Sequence, residues 1–135
     1  MALPDLDVAR ARRFVNERNA EMPFNARDQV RYELDVAPSS LTIVESRAPW
    51  REDYGPEWTR LPVARLRYVK ARREWSLYWR DRHSKFHLYD RVAPTPSIQT
   101  LLDEVSADPT CIFWARRHDA ARIVDRVPMS SSRVA

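Results

Sequence analysis

Three side chains of the 135-residue chain have the types that phosphodiester cleavage needs: Glu45, Arg47 and His87. A carboxylate that takes a proton, a guanidinium that stabilises developing negative charge and an imidazole that returns a proton are the roles small ribonucleases combine. Glu45 and Arg47 are two apart in an alternating run, so they share a face with Ile43. There the guanidinium fork can grip the carboxylate as a semi-buried ion pair at the strand end, capped by Trp50. Alternation puts His87 on the face opposite Glu45, which favours the ion pair over the catalytic set. A second group points to binding. Arg31, Arg65, Arg67, Tyr78, Arg80, Lys85, His87 and Tyr89 share one parity on neighbouring segments. Guanidinium groups neutralise phosphates and rings stack on bases, so this surface suits single-stranded nucleic acid. The plainer reading is a solvated face whose Arg stems cover Tyr rings. A third group, Trp50, Tyr54 and Trp58, lies in a long loop. These rings either meet a protein partner or fold back over an open end of the core. His83 and His87 are four apart with a turn between them, and only Cys111 and His118 could join them. That is no metal-ligand set. No metal and no cofactor is expected, and Ser130, Ser131 and Ser132 have no positioned base.

Composition narrows the classes further. With 44% hydrophobic and 31% charged residues, the chain reads as globular. Its one glycine, Gly55, excludes phosphate-cradling and dinucleotide-binding loops, which need several. The one cysteine, Cys111, cannot close an intramolecular disulfide, so a core must supply stability and a reducing compartment is the natural reading. The start carries no signal-like apolar run, and no stretch approaches a membrane span. A soluble, cytoplasmic protein is expected. Charge is unevenly spread. Residues 1–59 carry a net −3, residues 60–91 hold ten basic and three acidic side chains for a net +7, and residues 92–135 are neutral. Of the 23 basic residues 21 are Arg, which also fits a GC-rich coding sequence.

The elements that must position these residues follow from periodicity. Residues 4–19 read as a helix, with Asp5 and Asp7 in its first turn and Val8, Ala11 and Val15 at helical spacing. Residues 29–36 alternate, with Val30, Tyr32, Leu34 and Val36 on one face. Residues 41–47, 63–70, 75–80 and 85–89 read as four more strands, and residues 48–61 as a loop. The short connections predict antiparallel neighbours, hence a meander. By parity Tyr32, Leu34, Ile43, Leu66, Tyr68, Leu77, Trp79, Phe86 and Leu88 make its core face. Thr95 as cap and Pro96 at the first position predict a second helix carrying Ile98, Leu101, Leu102 and Val105, ended by Asp108-Pro109. Residues 111–114 tuck against the core. Ala120, Ile123, Val124 and Val127 predict a further helix within 116–128, and 129–135 a flexible tail.

Several words of the middle of the chain carry a resemblance. They are Glu45-x-Arg47-x-Pro49-Trp50, Val63-Ala64-Arg65 followed by Tyr68, and Trp75-x-Leu77-Tyr78-Trp79. Phe86-His87-x-Tyr89 and Asp108-x-x-Cys111-x-Phe113-Trp114 complete the set. In this order they resemble the bacterial family DUF3024, a domain of unknown function, over residues 5–115. The family pattern differs at Ala48, where Arg is usual, at Phe86, where Trp is usual, and around Cys111 and Ala115, where Gly is expected. The resemblance implies a bacterial protein of unassigned activity.

The expectation is therefore an α+β fold: a five-stranded, largely antiparallel sheet (a meander) with N- and C-terminal helices packed on one face, as a single domain over 1–115. The leading functional expectation is a small non-enzymatic binding module whose cationic and aromatic sheet face takes nucleic acid, single-stranded in preference. The alternatives are a small phosphodiesterase or other hydrolase using Glu45, Arg47 and His87, and a protein–protein adaptor using the Trp-rich loop or the C-terminal helix.

Overall fold

A computed structural model describes residues 3–26, 28–49, 58–110 and 112–114. Helix α1 spans Asp5–Glu21, and five strands follow: β1 Val30–Val36, β2 Ser40–Arg47, β3 Thr59–Val69, β4 Glu74–Arg80 and β5 Phe86–Leu88. Helix α2 spans Ile98–Ala107. The strands form one antiparallel sheet in the order β1-β2-β3-β4-β5, so every strand pairs with its neighbour in sequence. Trp50, Tyr54, Cys111, the 116–128 segment and the 129–135 tail lie outside the described residues. No described helix is long and apolar enough to cross a membrane.

Both helices cover one face of the sheet. Ala11 and Val15 of α1 and Ile98, Leu101, Leu102 and Val105 of α2 meet Leu41, Ile43, Leu66, Trp75 and Leu77 in one core. Aspartates 5 and 7 in the first turn favour the N-terminal dipole end of α1, which has no side-chain cap after Pro4. Met22-Pro23 ends that helix in extended backbone.

Three local outcomes differ from the periodicity. Strand β3 starts at Thr59, inside the expected 48–61 loop. Its register shifts opposite Ile43 and Val44, where Val63 is the extra residue, and this irregularity accommodates Pro62 within a strand. The cap of α2 is Ser97, whose hydroxyl accepts from the Thr100 N–H, and not Thr95. Thr95 is committed to a bridge with Trp75, exchanging N–H···O bonds of 2.8 and 3.0 Å. Strand β5 is only three residues long, and its faces are the reverse of those expected, as described below.

Residues 112–114 are tied down by one carboxylate. Asp108 ends α2 in the left-handed region, with φ 45°, a conformation Asp tolerates better than most side chains. Its Oδ1 accepts from the N–H groups of Ile112 (2.9 Å) and Phe113 (3.1 Å), and its Oδ2 from Trp114 (3.0 Å). Phe113 and Trp114 are thereby seated in the core, and the Trp114 indole donates to the Val105 carbonyl at 2.7 Å. Asp108→Ala removes three charge-assisted bonds at once. The expected loss is about 2–3 kcal/mol, read as a lower urea midpoint at unchanged m-value.

Candidate functional site

The sheet face away from the helices carries Arg31, Glu33 and Asp35 from β1, Thr42, Val44 and Ser46 from β2, and Arg60, Pro62, Arg65 and Arg67 from β3. Tyr78 and Arg80 of β4 and Phe86 and Leu88 of β5 complete it. The register brings Arg31, Arg65, Arg67, Tyr78 and Arg80 to one face. Tyr78 sits between Arg65 of β3 and Leu88 of β5, with Arg80 two residues along its own strand.

His87 and Tyr89 are on the other face, correcting their expected placement, and Lys85 lies in the β4–β5 turn. The pairing Trp79↔His87 turns Phe86 and Leu88 outward, so neither belongs to the core face. The turn imposes this register. Oδ1 of Asp81 accepts from the N–H groups of His83 (2.8 Å) and Lys85 (3.0 Å), and Ser84 takes φ 69°. A shift of one residue exchanges the faces of a whole strand, and apolarity alone could not choose the register of so short an edge strand. Tyr89 is buried: its hydroxyl donates to Glu104 of α2 at 2.7 Å and its ring lies 5.2 Å from Phe113. Burial first, and then the Glu104 contact, raise its pKa.

Charge on the helix-free face is segregated by position: carboxylates neutralise the arginines near the β1 edge and the N-terminal end of β3, but not those nearer β4. On the β1 side Arg31 pairs with Glu33 at 3.0 Å, and Arg60 pairs with Glu33 at 3.0 Å and with Asp35 at 2.7 Å. The Arg31 guanidinium also lies 4.2 Å from the centre of the half-buried Trp58 ring. Arg60 was missed in the sequence because residues 48–61, which hold Pro49, Gly55 and Pro56, read as a loop. On the β3–β4 side the picture changes. Among the described residues, no carboxylate lies within salt-bridge distance of Arg65, Arg67 or Arg80. Arg65 donates through Nε to the Thr42 hydroxyl at 3.0 Å, and its guanidinium lies 4.1 Å from the centre of the Phe86 ring. Thr42 is on β2 and Phe86 on β5, so this guanidinium makes contacts on both sides of its own strand. A depression lined by Asp35, Thr42, Val44, Arg60, Pro62 and Arg65 lies on the β1–β3 side of this face, where Arg60 is ion-paired with Asp35.

The hydrolase constellation is not assembled. Glu45 and His87 share a face, contrary to the parity assignment, but β3 and β4 run between their strands. Three strand spacings amount to roughly 14 Å. Glu45 is 1% exposed and receives the Arg47 Nε at 2.5 Å. Tyr32 stands across the strand from Glu45, and Trp114 packs on Tyr32 edge to face at 5.4 Å. Arg18 of α1 stacks 3.9 Å from the Trp114 ring centre. Burial, and then the Glu45 charge, raise the Tyr32 pKa. His87 instead meets Asp81: its Nε2 lies 2.7 Å from Oδ2, and its ring lies 4.8 Å from that of Trp79. No group of three His, Cys, Asp or Glu among the described residues is placed to hold a metal ion.

Two outcomes follow from these contacts. The His87 bond first, and then the Lys85 N–H, hold the Asp81 carboxyl well below the ordinary aspartate range. A depressed carboxyl stabilises the fold above its unfolded pKa, near 3.8, and loses that contribution as the pH falls below it. The His83 and Lys85 amide resonances should therefore hold their positions down to about pH 3, where a free aspartate is mostly protonated. A midpoint near 4 in an amide-shift titration would show that the His87 contact does not form. Arg47→Ala leaves the Glu45 charge in the core without its guanidinium and should cost about 3 kcal/mol in chemical denaturation. Glu45→Leu combined with Arg47→Met should recover most of that loss.

Comparison with curated proteins and with solved structures returns no match. A family model described as "Domain of unknown function (DUF3024)" matches residues 2–115. That match spans α1 through Trp114, every element described above, and the chain belongs to the DUF3024 family.

Proposed function

We propose that the protein is a small cytoplasmic binding module that takes single-stranded nucleic acid on the β3–β5 side of its helix-free sheet face. The observation that carries this reading is the charge segregation. Arg31 of β1 and Arg60 at the start of β3 are neutralised by Glu33 and Asp35, whereas Arg65, Arg67 and Arg80 lie around Tyr78 without a carboxylate partner among the described residues. A cationic track beside an aromatic ring is the combination that follows a phosphate backbone and stacks its bases. The contacts of Arg65 with Thr42 and Phe86 hold that guanidinium in place before any ligand arrives.

Tryptophan-fluorescence titration with a mixed-sequence 20-nucleotide single strand and its duplex, at two salt concentrations, tests the reading. The expected result is micromolar binding that favours the single strand and weakens as salt rises. Tyr78→Ala should weaken it about five-fold or more, and Arg67→Ala should lower the salt slope by about one. Absence of binding at low salt would remove the proposal.

A further inference from the structure

Strand β1 is an edge of the sheet, and its outward backbone groups can be assigned. The Ala37 N–H donates to the Ser40 carbonyl, and the Ala48 N–H to the Gln29 carbonyl. With the β1–β2 register, these bonds turn the N–H and C=O groups of residues 31, 33 and 35 toward β2 and those of residues 30, 32, 34 and 36 outward. The protein closes one of these positions itself. The Asn19 side chain donates to the Tyr32 carbonyl at 2.9 Å and accepts from the Tyr32 N–H at 2.8 Å, as a neighbouring strand would. Beyond that clip, the outward groups of Leu34 and Val36 have no hydrogen-bond partner among the described residues.

Val36 also borders a depression that α1 walls on the other side, lined among others by Leu3, Val8, Val36 and Pro38, with Asp5 and Arg12 two helical turns apart along its α1 wall. Val36 is 49% exposed. Helix α1 runs antiparallel to β1, with Asn19 beside Tyr32 and Val8 to Arg12 beside Val36. The wall thus continues the line of the edge. Arg12 has no ion-pair partner among the described residues.

We propose that the β1 edge beyond the Asn19 clip takes an extended segment of a partner protein as a sixth strand. Its backbone bonds the Leu34 and Val36 groups. An apolar side chain enters between Val8 and Val36, and an acidic side chain two positions away on the same face meets Arg12. A second copy of the chain fits less well. Antiparallel self-pairing of Leu34 with Val36 sets Asp35 opposite its own copy. Centring the pair on Leu34 sets Glu33 opposite Asp35 and runs into the Asn19 clip. The site is on the sheet edge beside α1, so it is independent of the nucleic-acid reading.

A display library of random ten-residue peptides, selected on the full chain, supplies the probe, and synthesised winners are measured by fluorescence anisotropy. The expected winners carry an apolar and an acidic residue two apart and shift the Leu34 and Val36 amide resonances. Val36→Pro deletes one outward N–H while leaving the β1–β2 ladder intact, since edge positions tolerate proline. It should weaken binding ten-fold or more. Arg12→Glu lies on an exposed helix face, leaves the strand untouched and should abolish the preference for the acidic residue. The proposal is overturned if no peptide is enriched, if winners bind both variants like the parent, or if their shifts map elsewhere. It is also overturned if light scattering finds a dimer that Val36→Pro dissociates, which would assign the edge to a second copy.

Discussion

The buried indole of Trp75 is the contact on which the arrangement of helices and sheet depends. Its ring is fully enclosed, a burial that contributes on the order of 5 kcal/mol. An indole N–H so deep needs an acceptor, and it finds Asp7 in the first turn of α1 at 2.9 Å. The backbone of the same residue is bridged to Thr95, just before α2, and its ring packs 4.9 Å from that of Tyr68 on β3. One residue on β4 therefore fixes the start of α1 and the neighbouring strand through its ring, and the approach to α2 through its backbone. Both helices are drawn to the face on which Trp75 points.

That choice divides the sheet into two chemically different faces. The helix side buries polar groups in pairs: Glu45 with Arg47, Tyr89 with Glu104, the Trp114 indole with the Val105 carbonyl. The other face has arginines on three of its five strands, and ion pairing cancels charge only toward β1. Arg65 reaches both Thr42 and Phe86, so part of the surplus charge is held against the neighbouring strands. Edge and face are thus distinct surfaces. The edge offers backbone hydrogen bonds beside an apolar wall, and the face offers guanidinium groups beside a ring.

Much of this was legible in residue patterns. Alternation from Val30 to Val36 and the i, i+3, i+4 spacing of Ile98, Leu101 and Leu102 reflect periods that a half-buried strand and an amphipathic helix cannot avoid. The short links between strands left antiparallel neighbours as the natural topology. The pattern was silent where a side chain or turn committed a residue elsewhere. Thr95 looked like a helix cap because its use in a bridge to Trp75 is a contact across 20 positions. Residues 59–61 looked like loop because their pairing with Arg47, Ser46 and Glu45 is a property of two strands, not one.

The sequence by itself determined the α+β class, the order of elements, the concentration of positive charge in residues 60–91 and the family. These are local or compositional properties, carried by periodicity, turn chemistry and residue counts. Tertiary structure alone decided which face each β5 side chain occupies, which arginines are neutralised and whether Glu45 can meet His87. The first depends on a register imposed by the Asp81 turn, and the second on carboxylates 25 to 27 residues away from Arg60. The third depends on two intervening strands. Each of those distances is set by packing between elements, and a one-dimensional period of two or 3.6 residues carries no information about it.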